Sequence, residues 1–223
     1  MRSDLFHNTE ADTDPGSFVK QNHKMLKVRL AGTGGYFFAL QGSMVAYQGQ
    51  VDFAYQGSGG MSRMLKKAFT GEGMSLMKVS GSGDVFLARE ADDIYLLHLE
   101  SDSVTVNGVN VLAFESTLEW DIKRVEGASM MTGGLFNTTF TGTGVLAITV
   151  HGAPVVLNVD VPTFVAMQSA VLWSTSLQTG VRRTATAGAM IGRGSGEAYQ
   201  LALTGQGFVV VQASEGHPVV QGR

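Results

Sequence analysis

One nine-residue pattern recurs along this chain, and it restricts the fold to strands that bury one face. Its copies are Val45–Phe53, Leu112–Trp120 and Val165–Trp173. Positions one, three, seven and nine are large and apolar, and position five is Gly49, Ser116 or Ser169. Apolar residues at alternate positions are the period of a half-buried strand. The small residue midway predicts a bulge or a close backbone approach. The closing aromatics Phe53, Trp120 and Trp173 are expected to fill equivalent core volumes.

A second pattern, a short strand followed by Gly-x-Gly and an apolar strand, occurs four times. It spans Val28–Ala39, Met77–Ala88, Thr138–Ile148 and Leu201–Val211. Two β runs around glycines that supply positive φ predict a hairpin at each copy. A phosphate-cradling loop is disfavoured, because no copy continues as Gly-x-Gly-x-x-Gly into a helical pattern.

Together the patterns predict an all-β fold of internally repeated β-sandwich or β-roll units in a pseudo-threefold arrangement. The expected divisions are an N-terminal arm over 1–22 and a single domain over 23–223. Its units run about 25–56, 73–125 and 133–181, and a hairpin at 195–212 closes back on the first. Met61, Met64, Leu65, Ala68 and Phe69 lie at i, i+3, i+4, i+7 and i+8, predicting one short amphipathic helix near 61–69.

The chemistry-bearing residues form no recognisable motif. Cysteine is absent, which removes disulfides, thiolate nucleophiles and zinc–thiolate sites. The five histidines are dispersed, with no spacing suited to a metal. Asp92 and Asp93 are adjacent, but neighbours in a strand face opposite ways, so they read as turn residues rather than an acid–base pair. The net charge of -3 argues against a global attraction to nucleic acid or anionic membrane. The chain is expected to be no enzyme and to need no cofactor or metal.

Two surface readings remain. Arg63, Lys66 and Lys67 follow the first unit, Lys123 and Arg124 the second, and Arg182 and Arg183 the third. They are solvated linker charge, or an anion or partner patch if they converge. Met61, Met64, Leu65, Met130, Met131 and Met190 cap the units or form an adaptable apolar partner surface.

The chain also resembles the mitochondrial biogenesis family named for altered inheritance of mitochondria. The residues that carry the resemblance are Gly42–Tyr47, Thr70–Gly73, Thr105–Gly108, Gly133–Phe136, Phe140–Gly144, and Gly196–Glu197 leading to Gly205–Gly207. The resemblance implies a fold like the tryptophan RNA-binding attenuation protein and carries over no catalytic residues. Without a leader-like N-terminus, the bacterial branch and a cytoplasmic location are expected, with membrane association as the alternative.

The expected function is that of a non-catalytic structural or assembly protein, acting through self-association, protein partners or a membrane-associated complex. The alternative is a binding module for an oligonucleotide or small anionic ligand, with nucleic acid the less favoured partner.

Overall fold

The computed structural model of the chain describes Ser3 and residues 15–55, 74–124, 136–183 and 199–213. The expected helix near 61–69 lies outside them. The described residues form fifteen strands and two short 3-10 turns, at Leu30–Gly32 and Gly108–Asn110. The protein is all-β, as its period-two runs require.

The strands are β1 (Phe18–Asn22), β2 (Met25–Arg29), β3 (Tyr36–Leu40), β4 (Met44–Tyr55), β5 (Leu76–Leu87), β6 (Asp93–Asn107), β7 (Val111–Glu115) and β8 (Glu119–Arg124). They continue with β9 (Phe136–Val150), β10 (Val155–Val159), β11 (Thr163–Ala166), β12 (Ala170–Ser174), β13 (Gln178–Arg183), β14 (Tyr199–Thr204) and β15 (Gly207–Val211). All pairings are antiparallel, in one twelve-stranded and one three-stranded sheet.

One pairing scheme occurs in three places. β5 lies between β4 and the broken pair β2 and β3. β9 lies between β6 and the broken pair β7 and β8. The strands β14 and β15 lie between β12 plus β13 and β10 plus β11. Two joins connect these sets. β3 pairs with β7 through Phe37–Glu115, Phe38–Phe114 and Ala39–Ala113, and β6 pairs with β12 through Val104–Ser174, Thr105–Trp173 and Val106–Leu172.

Several expectations change here. Gly81 and Gly83 do not end strands but sit inside β5, and Gly142 and Gly144 sit inside β9. On one side β4 pairs with β5, and β6 with β9, straight past these glycines, which keeps the chain extended through them; on the other side the partner changes there, from β3 to β2 and from β8 to β7. At Gly83 (φ 142°) a Cβ would lie 1.9 Å from the Gln48 carbonyl oxygen, and at Gly49 one would lie 2.4 Å from that of Ser82. The close approach expected at Gly49 is therefore present. Ser116 instead lies in the turn between β7 and β8, and Ser169 in the turn between β11 and β12.

The third copy of the nine-residue pattern is out of register. Tyr47, Phe114 and Trp173 face Val85, Leu146 and Val209, each two residues beyond the second glycine of a Gly-x-Gly. Phe53, Trp120 and Thr179 face Val79, Phe140 and Leu203, each two residues before the first. The segment that pairs like Val45–Phe53 and Leu112–Trp120 is thus Val171–Thr179. Trp173 corresponds to Tyr47 and Phe114, not to Phe53 and Trp120.

The unit boundaries also move. β1 occupies the end of the expected N-terminal arm and buries Phe18 and Val19 against β2. Among the described residues the expected hairpin at 195–212 does not return to the first unit, since β14 and β15 pair there only with β10 to β13.

Three apolar clusters form the core. One gathers Phe38 and Leu76 with Phe114, Phe140 and Leu146, and reaches Val171 and Leu172. A second packs β1, β2, β3 and β5 around Phe37, Leu26 and Val85. The third packs β10 to β15 around Trp173, Leu201 and Val209.

Candidate interaction surface

Exposed apolar side chains concentrate on strand edges. In β7 and β12 the first four residues are buried, because β3 and β6 pair against them. The corresponding stretch of β4 has no strand on its second side among the described residues. Val45 and Tyr47 there are 52% and 49% exposed. The repeat pattern placed both in the core, so this is a correction: alternation marks an apolar face, and only a neighbouring element covers it. The Tyr47 ring still packs edge-on against Phe53 at 5.4 Å, as Phe114 packs against Trp120 at 5.9 Å.

The strands β10 and β11 are similar. β10 exposes Val155, Val156 and Leu157, and Val161 in the following turn is also exposed. β11 pairs only with β14, and its Phe164 is 42% exposed with the Arg182 guanidinium 4.4 Å from the ring centroid. An unpaired edge with apolar side chains is a template for strand addition. The run Val155-Val156-Leu157 was the available sequence signal, since an apolar run without alternation is apolar on both faces.

Most of the residues singled out from sequence lie outside the described residues: Arg63, Lys66, Lys67, Met61, Met64, Leu65, Met130, Met131 and Met190. The backbone places Lys123 and Arg124 at the end of β8, opposite Asn137 and Phe136. It places Arg182 and Arg183 at the end of β13, opposite Gln200 and Tyr199. These two basic pairs therefore occupy corresponding positions in the pairing scheme.

Other polar groups serve the fold. Asp92 is buried and accepts from His151 Nδ1 at 3.0 Å, whereas Asp93 pairs with Lys24 at 3.2 Å, so the adjacent carboxylates have separate partners. Gln212 Oε1 accepts from the His151 amide and from Asn110 Nδ2. Asn107 Nδ2 donates to the carbonyls of Ala170 and Met167 across the β6–β12 join. Glu115 accepts from the Val145 amide at 2.9 Å and from the Ser17 hydroxyl at 2.5 Å. The buried Lys27 ammonium lies 3.4 Å from the Asp84 carboxylate. No group of three or more metal-ligating side chains occurs among the described residues, and no helix there is long and apolar enough to cross a membrane.

The architecture defines an all-β protein of large antiparallel sheets with apolar strand edges as its most prominent surface feature. The chain belongs to the family described as Mitochondrial biogenesis AIM24, whose model matches residues 17–214. The crystal structure of a protein from Streptococcus pyogenes is similar, with a TM-score of 0.70 and 22% identity over 88% of this chain and 92% of that one. At that identity the likeness shows the fold alone. No curated protein sequence matches the chain.

Proposed function

We propose that this protein is a non-catalytic structural or assembly factor that acts through surface contacts with protein or membrane-associated complexes. The observation that carries the reading is that β4 and β10–β11, which pair on one side only among the described residues, keep Val45, Tyr47 and Phe164 exposed while their counterparts Leu112, Phe114 and Phe38 are buried. Folded proteins normally blunt such edges with charge, proline or bulges. Apolar exposure kept at an edge fits a docking role.

The architecture behind it is a threefold internal repeat, with pseudo-threefold placement and a fold like the tryptophan RNA-binding attenuation protein. The thrice-occurring pairing scheme supports the repeat. So do matching bonds at corresponding positions: the Ala88 amide donates to the Ser43 carbonyl, and the Gln212 amide to the Ser169 carbonyl, each at 2.9 Å. A bacterial, cytoplasmic or membrane-associated setting is part of the same proposal.

Light scattering of the full chain, with flotation on vesicles of mixed zwitterionic and anionic lipid, tests the reading. Self-association or co-flotation is the expected result. A monomer at all concentrations that ignores vesicles counts against it.

A second reading, a binding module for an oligonucleotide or small anion, is favoured by the corresponding basic pairs Lys123–Arg124 and Arg182–Arg183. Replacing all four with Ala is expected to lower retention of a labelled single-stranded RNA by tenfold or more, in the manner of lost phosphate contacts. Equal retention by parent and variant sinks this alternative.

A further inference from the structure

The two joins inside the chain specify a third that is not made among the described residues. In the first, Phe38 of β3 sits opposite Phe114 of β7; in the second, Thr105 of β6 sits opposite Trp173 of β12. In each, a strand of one set pairs with the first strand of the next set's broken pair, β7 or β12, on the side away from β9 or β15. Transferring the register is a matter of counting from the glycines. Phe38 and Thr105 face Lys78 and Thr139, each three residues before the first Gly of their Gly-x-Gly, and Phe164 faces Ala202, three before Gly205. Phe114, Trp173 and Tyr47 form the other corresponding series, as the registers above establish.

We propose that β11 of one copy of this chain pairs antiparallel with β4 of a second copy, placing Phe164 opposite Tyr47, Thr163 opposite Gln48 and Val165 opposite Ala46. The three-stranded sheet β11–β14–β13 then continues into β4, β5 and β2 of the partner copy. This inference rests on the reading of the chain as an assembly factor and names a second copy as the occupant.

Two observations select that occupant. Among the described residues β4 and β11 each pair on one side only, and they are the strands that the internal joins predict to be complementary, so the interface continues a pattern already used twice. The central pair also matches in chemistry. In the first join Phe38 and Phe114 are buried with ring centroids 5.3 Å apart, whereas Tyr47 and Phe164 are two half-exposed aromatics awaiting equivalent contact. Directly opposed aromatics are favourable cross-strand pairs. Because one copy offers β4 and accepts through β11, the contact is head-to-tail; it closes into a ring or extends as a filament.

The chain has no cysteine, so engineered thiols report without background. Tyr47→Cys and Phe164→Cys are prepared separately and mixed under mild oxidation. The expected product is a disulfide-linked dimer at twice 23.7 kDa, at least tenfold more abundant in the mixture than in either variant alone. Phe208→Cys, an exposed position on the doubly paired β15, replaces Phe164→Cys as the bystander and is expected not to cross-link. Both edge side chains are half exposed, so the variants should keep the parent's circular dichroism spectrum. In light scattering the parent is expected above the monomer mass, and Phe164→Asp at the monomer mass.

Equal cross-linking by the bystander, or a homodimer of Tyr47→Cys alone, overturns the proposal. So does a Tyr47→Cys/Phe164→Cys double variant that forms only an intrachain disulfide, since the chain then closes on itself. A monomeric parent that still floats with vesicles removes the self-pairing and leaves the assembly reading standing; a monomer that does neither removes both.

Discussion

Single residues fix the closest approaches in this molecule. Gly49 and Gly83 let β4 and β5 cross where any side chain would overlap a carbonyl oxygen. Gly42 also has positive φ (83°), but a Cβ there meets nothing within 4 Å. Gly42→Ala should therefore cost only the left-handed conformer, about 1–2 kcal/mol. Gly83→Ala adds a backbone clash and is expected to cost about 3 kcal/mol or more, of the size of other severe backbone and packing lesions. Urea denaturation of the two variants checks the difference, and equal midpoints would show that the strands separate without penalty. Sequence alone identified Gly49 as a point of close approach. It could not identify Ser116 and Ser169 as turn residues, because a small residue suits both settings and only the pairing partner distinguishes them.

At the level of strands and joins, buried aromatics and amides hold neighbouring sets together. Trp173 is fully buried at the centre of the third cluster and sits opposite Thr105 in the β6–β12 join. Trp173→Ala is expected to destabilise the fold by about 3–5 kcal/mol, since it leaves a large cavity that surrounding strands cannot collapse into. Asn107 donates across the same join to the Ala170 carbonyl at 3.1 Å. Asn107→Ala leaves buried carbonyls short of a donor, a loss expected to cost about 1–3 kcal/mol. Thermal unfolding of both variants against the parent tests these values, and an Asn107→Ala midpoint equal to the parent's would remove the amide from the join.

The Thr105–Gly108 motif was visible in the sequence, but its bond to Ala170 was not, because the partner lies more than sixty residues away. The same limit explains the Gly-x-Gly misreading. Glycines with positive φ look alike in a hairpin turn and in a kinked long strand, and only a long neighbour such as β4 or β6, pairing straight past them, keeps the second kind extended.

For the whole molecule, the governing feature is that three similar pairing sets are joined twice rather than three times. Among the described residues β4 and β11 are left without the partner that a third join would supply, and Val45, Tyr47 and Phe164 there stay in solvent. If β11 and β4 pair between copies, Phe164→Asp should change assembly while leaving the monomer's unfolding midpoint within about 0.5 kcal/mol, as for a surface substitution outside the core. Light scattering and urea denaturation on the same sample separate the two effects. A large loss of monomer stability would instead make Phe164 part of this chain's own packing.

The amino-acid sequence by itself determined the all-β class, the close approach at Gly49 and the family, because each is written in local periodicity or in motifs along the chain. Tertiary structure alone decided which copies of that pattern are covered. Val45 and Tyr47 carry the same apolar alternation as Leu112 and Phe114, yet the first pair is exposed and the second buried. Burial is conferred by a neighbouring strand brought in from elsewhere in the chain, and no local pattern records whether that neighbour arrives.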